Sequence, residues 1–273
     1  LELLQSNITY TAGGKVYMSD LLKNKNIVIM GVRNKWSIAW AIAAAAHREG
    51  ASLVLTYLGE REKKDVEALA EELGGADTCQ LDVSSDTDID NFFESVKRKY
   101  GAIHGLVHAI AYARAEDLQG RFVDTSREGF ALAMDISVYS LAAVSRRAAE
   151  AMVEGGSIVT LTYMGSEKVM PGYNVMGLAK AALEAGVRYL AEDLGPSGIR
   201  VNAISAGAVK TLSAKGIKDF SSILKYTRQK APLRKNVEQE EIGDAAVFLL
   251  SEMSKAITGE VLHVDCGVNI IGV

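Results

Sequence analysis

Ile27-Val28-Ile29-Met30-Gly31-Val32-Arg33-Asn34-Lys35-Trp36-Ser37-Ile38-Ala39 reads as a strand, a loop and the start of a helix. Four apolar residues end at a glycine, and Ser37 stands where a helix N-cap belongs. An alanine-rich stretch then runs to Ala46, which lets helix and strand approach closely. The same alternation continues outward. Short apolar runs fall at 52–57, 103–109, 157–161, 200–204 and 260–264, and a third strand region ends in Leu81-Asp82-Val83. Helical spacing falls between them, at 38–48, 61–73, 89–100, 128–152, 174–194 and 240–250. Strands alternating with helices make βαβ units and a parallel sheet. The runs are continuous rather than alternating, as expected when helices cover both faces. The pattern predicts α/β architecture: a single-domain, doubly wound parallel sheet over 18–273, with no linker or internal repeat. Thr125 with Glu128 reads as a capping box, and Gly195-Pro196 as a helix stop. Residues 1–17 are polar, contain Gly13-Gly14, and are set apart as an N-terminal extension, either disordered or a peripheral strand.

Composition narrows the function classes. The 273 residues are 48% hydrophobic and 23% charged, with a net charge of −4. That balance fits a globular chain and argues against a nucleic-acid partner, which calls for a basic patch. The longest apolar run, 36–46, falls short of the roughly 20 residues that span a bilayer. No membrane association is expected. Cys79 and Cys266 lie far apart outside any CxxC pattern, which fits a reducing, cytoplasmic setting. No metal-ligand cluster is visible, so no metal is expected.

The first loop carries a weak dinucleotide signal. A helix N-terminus favours a pyrophosphate through its free N–H groups and its dipole. Only Gly31 remains of the glycine-rich fingerprint, so a plain βα turn is the competing reading. Asp82 could accept a hydrogen bond from an adenine amino group, or could simply make a turn. The second strand ends in Thr56-Tyr57-Leu58, without the acid that usually grips a ribose 2′-hydroxyl.

The second half is more informative. Tyr163, Tyr173 and Lys180 are spaced Tyr-x9-Tyr-x6-Lys. Tyr163 follows a strand, Tyr173 opens a helix, and Lys180 lies two turns along on the same face. An ammonium there can lower a phenol's pKa and hold cofactor hydroxyls, and a phenol can stabilise an oxyanion. Packing tyrosines and a surface lysine are the structural alternative. His104 and His108 sit on a strand, where four residues cover roughly 13 Å, too far to share one ion. Ser205, with Asp244 and His263 following, has hydrolase order but lacks the first glycine of a nucleophile elbow.

Four sets of residues together carry a family resemblance. They are Gly31-x5-Ser37-Ile38-Ala39, His108-Ala109-Ile110-Ala111, the Tyr-x9-Tyr-x6-Lys set, and Ile204-Ser205-Ala206-Gly207-x3-Thr211-Leu212. In that order, from about Leu22 onward, the chain resembles the bacterial enoyl-[acyl-carrier-protein] reductases, a divergent branch of the short-chain dehydrogenase/reductases. The superfamily's usual Tyr-x3-Lys fails here, because Gly177 and Glu167 stand at those positions. The resemblance implies a Rossmann-like fold with a small helical substrate lid at about 214–230. It implies reduction of the trans-2 double bond of an acyl chain carried on acyl carrier protein, the last step of each fatty-acid elongation cycle.

On this resemblance Tyr173 donates to the enolate oxygen, Lys180 holds the nicotinamide ribose, and Tyr163 is a second active-site tyrosine. Gly31, Ser37, Ile38, Leu58, Asp82, Val83, Ile110, Val209, Lys210, Thr211, Leu212 and Ser213 fall at cofactor positions, and Ala113 at a substrate contact. The family is usually tetrameric, so a homotetramer is expected. Arg33, Trp36, Tyr112, Ala208 and Cys266 depart from its commonest pattern without removing a catalytic group. NADH is the expected cofactor, since Leu58-Gly59-Glu60 offers no cation to a 2′-phosphate. Arg33, Arg61, Lys63 and Lys64 keep NADPH as the alternative. Other readings are a reductase of a different enone or carbonyl, and a silent dinucleotide-binding protein.

Overall fold

The structure is a computed structural model that describes residues 9–10, 16–17, 20–211 and 220–272. Two short strands, β1 (Thr9–Tyr10) and β2 (Val16–Tyr17), pair antiparallel. The main sheet holds β3 (Asn26–Met30), β4 (Ser52–Tyr57), β5 (Asp77–Gln80), β6 (Gly105–His108), β7 (Gly156–Thr162), β8 (Ile199–Ala206) and β9 (Val261–Val264). Its order is β5-β4-β3-β6-β7-β8-β9, and every pairing is parallel. The chain winds outward from β3 to β5, then crosses back to β6 on the other side of β3. Open α/β sheets bind ligands at such a switch point, beyond the carboxyl ends of the strands.

The continuous apolar runs follow from this burial. Ile27 and Ile29 of β3 face one core, with helices α1 (Ile38–Arg48), α2 (Glu60–Glu72) and α9 (Gln239–Leu250). Val28 and Met30 face the other core. There they meet α3 (Asp86–Tyr100), α6 (Ser140–Ala151) and α7 (Asn174–Leu194). Alternate side chains leave opposite faces of a strand, and both faces are covered. Each large side chain buried this way, such as Phe92 or Leu106, stabilises by roughly 1.5–3 kcal/mol.

Two local expectations change. The helical stretch at 128–152 is α5 (Arg127–Met134), one π-helical turn (Asp135–Tyr139) and then α6. Its cap is Ser126, whose Oγ accepts from the Gly129 N–H at 2.9 Å. Thr125 is spent elsewhere, its hydroxyl donating to the Phe122 carbonyl at 2.7 Å. Ser and Thr cap comparably well, so tertiary placement chose between neighbours. Beyond β6 lies a short helix α4 (Ala115–Leu118), and beyond β8 lies α8 (Phe220–Lys230). Of the lid expected at 214–230, only α8 lies within the described residues. Among the described residues no helix is long and apolar enough to cross a membrane.

Candidate active site

Three loops meet at the switch point. Gly31 ends β3 with φ +88°, a left-handed conformation that favours glycine. A Cβ there would lie 2.2 Å from the Ala109 carbonyl oxygen, so the loops after β3 and β6 close on each other. Ser37 caps α1: its Oγ accepts from Trp40 N–H at 3.3 Å and donates to the Asn34 carbonyl at 2.7 Å. The open N–H groups of α1 therefore face the space beyond Gly31. Asp82 follows β5, with Oδ1 held by the N–H and hydroxyl of Ser84 at 2.9 and 2.7 Å. Val83 is buried, while Leu58 lies exposed after β4.

The catalytic candidates come from the other half of the sheet. Tyr163 directly follows β7, and Tyr173 is the N-cap residue of α7. Their rings meet edge to face, with centroids 5.2 Å apart. The Gly165 Cα lies against the Tyr173 ring, since a Cβ there would meet Cδ1 at 2.5 Å. At Gly177 a Cβ would lie 2.8 Å from the Gly165 carbonyl oxygen. The position where the wider superfamily carries lysine is thus closed by backbone, and the ammonium arrives from Lys180, one turn further along. Lys180 is buried, and its Nζ donates to the Leu161 carbonyl at 2.8 Å.

Tyr163, Tyr173 and Lys180 line one cleft of about 390 Å³. Ile38, Ala113, Val209 and Thr211 line it too, so the α1 terminus and the β6 and β8 loops share it with the catalytic set. Phe220 of α8 closes one side, with Leu118 and Met176 in the apolar wall. Ile110 is half-buried in the β6 loop, and Lys210 is exposed beyond β8. Leu212 and Ser213 lie outside the described residues.

Electrostatics correct one expectation. The Tyr173 phenol is not acidified: burial, with Tyr163 beside it, pushes its pKa well above the ordinary value. Burial raises Tyr163 too. Desolvation and the neighbouring phenol both oppose the phenolate, so Tyr173 stays a neutral donor. Lys180 is brought down to about 8 by burial, against the opposing pull of Glu184.

The remaining candidates fall away from the cleft chemistry. His108 is fully buried, with Nδ1 3.1 Å from Thr160 Oγ1 and Nε2 2.8 Å from Ser140 Oγ. Burial holds it neutral, at about 3. It ties β6 to β7 and α6 as a core histidine. Ser205 is buried within β8, Asp244 is engaged by Arg48 at 2.7 Å, and His263 faces Glu167 at 3.6 Å. Ser205 and His263 are register partners on β8 and β9, but the imidazole faces Glu167 and Asp244 is taken by Arg48, so the three form no hydrolase triad. Among the described residues no group of three or more His, Cys, Asp or Glu could hold a metal. Thr162 and Glu184 were missed by sequence reading. The available signal was Glu184 four residues after Lys180 on one helix.

The sequence model of the enoyl-(acyl carrier protein) reductase family matches residues 31–269. This chain belongs to that family. The enoyl-[acyl-carrier-protein] reductase [NADH] of Bacillus cereus is 54% identical over 255 residues, covering 93% of this chain and 100% of the relative. The Staphylococcus aureus relative, named as NADPH-dependent, is 53% identical over 252 residues, 92% of this chain and 98% of its own. The crystal structure of the Bacillus cereus reductase with NADP+ and indole naphthyridinone superposes with a TM-score of 0.92. It covers 93% of this chain and 100% of that one, at 54% identity. Strands β4 to β9, the cleft and the tyrosine–lysine set of this reductase fall inside the matched residues 31–269.

The residues present fit a dinucleotide. The start of α1 at Ile38 and the buried Lys180 ammonium line one cleft, and the Gly31 turn and the Asp82 acceptor follow β3 and β5 at the same carboxyl edge of the sheet.

Proposed function

We propose that this chain reduces the trans-2 double bond of an enoyl chain on acyl carrier protein, using NADH, in the last step of each fatty-acid elongation cycle. The observation that carries this reading is the meeting of Tyr163, Tyr173 and Lys180 with the α1 terminus in one cleft with an apolar wall.

Gly31, Ser37 and Ile38 would hold the pyrophosphate; Leu58, Asp82 and Val83 the adenosine. Ile110, Val209, Lys210, Thr211, Leu212 and Ser213 would border the nicotinamide side. When bound, reduced nicotinamide supplies a hydride to the β-carbon of the enoyl chain. Lys180 would donate to the ribose hydroxyls and hold that end of the cofactor. Tyr173, kept protonated by burial, would donate a hydrogen bond to the substrate oxygen as enolate charge develops there, and a proton taken up from water at the α-carbon would complete the saturated chain. Tyr163 packs against the Tyr173 ring and limits its rotation. Ala113 and Phe220 border the acyl chain, with α8 as the described part of the lid. The assembly is a homotetramer working in the cytoplasm.

NADH is favoured over NADPH on local charge. Arg33 is 3.9 Å from Glu62, and Glu60 and Glu62 both stand in the first turn of α2. A 2′-phosphate would meet those carboxylates. The decisive experiment mixes the protein with a trans-2-enoyl thioester and either reduced cofactor, and follows cofactor oxidation. Turnover with a higher kcat/KM for NADH is expected. No turnover with any enoyl thioester removes the reading. An NADPH preference that disappears in Arg33→Ala reverses the cofactor choice alone.

A further inference from the structure

Lys180 and Glu184 are both buried, at 6% and 8% exposure, and stand one turn apart on the same face of α7. Adjacent residues of β7 receive them. Lys180 Nζ donates to the Leu161 carbonyl at 2.8 Å, and the Thr162 hydroxyl donates to Glu184 Oε1 at 2.5 Å. A carboxylate this deep is unfavourable unless it is hydrogen-bonded and near a cation. Here both conditions are met by groups around the same patch of sheet. The Leu161 carbonyl accepts more strongly from an ammonium than from an amine, but one carbonyl does not offset the burial of a charge. A carboxylate one turn away adds to it.

We infer that Glu184, anchored by Thr162, is a positioning residue that keeps the Lys180 side chain in the cleft as an ammonium. The inference rests on the reading of Lys180 as the group that holds the cofactor ribose. The other titratable groups around Lys180 cannot replace Glu184. His108 from β6 is buried and neutral, and Tyr163 and Tyr173 are neutral phenols. Against burial, Glu184 is what holds the Lys180 ammonium near neutrality.

The test is titration of Lys180 in the cofactor-free protein, by NMR of carbon-labelled lysine, with the signal assigned by its loss in Lys180→Met. Glu184→Gln keeps the shape and an acceptor for Thr162 but removes the charge. The Lys180 midpoint should fall by about one pH unit or more, and NADH affinity should fade at correspondingly lower pH. Glu184→Asp, which restores a carboxylate, should recover most of both. A purely structural role would lower stability without moving the midpoint, so an unchanged midpoint in folded Glu184→Gln overturns the inference. If Glu184→Gln does not fold, Thr162→Val serves: it loosens the carboxylate, and a midpoint unmoved there overturns the anchoring. A midpoint that falls while the pH dependence of NADH binding stays put upholds the pairing and removes the ribose-holding reading of Lys180.

Discussion

The two ends of the crevice are built differently. At the β3–α1 turn the loop is held largely by its own neighbours, Asn34 to Trp36, Asn34 to Ser37, and Ser37 to Trp40, while the longer-range partners Glu62 of Arg33, Glu72 of Lys35 and Gln239 of the Trp36 carbonyl reach it from its exposed side. The side chains of Arg33 and Trp36 point outward, Trp36 being 64% exposed. What this end offers an anion is backbone. At the β7–α7 end, contacts join residues about twenty apart in sequence, and the working groups are buried, as Lys180 is, or half-buried, as Tyr163 and Tyr173 are. What that end offers is side-chain chemistry. A backbone site tolerates unusual neighbours, and both Arg33 and Trp36 sit there. A side-chain site does not, and Tyr163, Tyr173 and Lys180 are kept.

The largest effect should come from the buried end. Tyr173→Phe should lower kcat by on the order of 10²–10³ while leaving the dissociation constant for NADH nearly unchanged. Stopped-flow turnover with a carrier-protein substrate checks this, and an unaltered kcat would discard the donor role. Lys180→Ala should weaken NADH binding by roughly 10–100-fold, the size of a lost charge-assisted hydrogen bond. Lys180→Arg should be milder. Calorimetry giving wild-type affinity for Lys180→Ala would break the contrast at its centre.

The titration of Lys180 sharpens the comparison further. Its folded pKa is about 8, below the ordinary lysine value of 10.5. Between those values the unfolded chain binds the extra proton, so this group makes stability rise with pH across that window. Below it the full cost of the buried ammonium is present. The stability difference between Lys180→Met and the parent should therefore depend on pH, moving in the parent's favour from pH ~8 toward pH ~10. Denaturant melts at a series of pH values read the difference. A constant difference would contradict the burial of a charged lysine.

The smallest effect belongs to the backbone end. Ser37→Ala should cost about 1 kcal/mol of stability through the lost cap, with only a modest change in NADH affinity. A loss of affinity as large as that of Lys180→Ala would erase the distinction between the two ends.

Much of the fold was legible because parallel sheets covered on both faces leave an unmistakable record. The runs at Ile27, Ser52, Ser157 and Arg200 fall within observed strands, and Ser37 and Gly195 do cap their helices. The site was partly legible. The Tyr-x6-Lys spacing put Tyr173 and Lys180 on one helix face, as helix geometry requires. The cap at Thr125 was misread because Thr125 and Ser126 are chemically equivalent candidates, and the approach of neighbouring segments chose Ser126. The phenol's acidity was misread because spacing reveals a nearby ammonium but not the depth of burial.

By itself, then, the sequence determined periodicity, element order and which ionisable groups share a helix face, because these are properties of local backbone geometry. Tertiary structure decided what distance and dielectric decide. It closed position 177 against the Gly165 carbonyl and seated Tyr173 as a neutral donor. It also brought Thr162 of one strand to Glu184 of the following helix. Pairings of that kind depend on how closely two elements pack, and no local spacing records it.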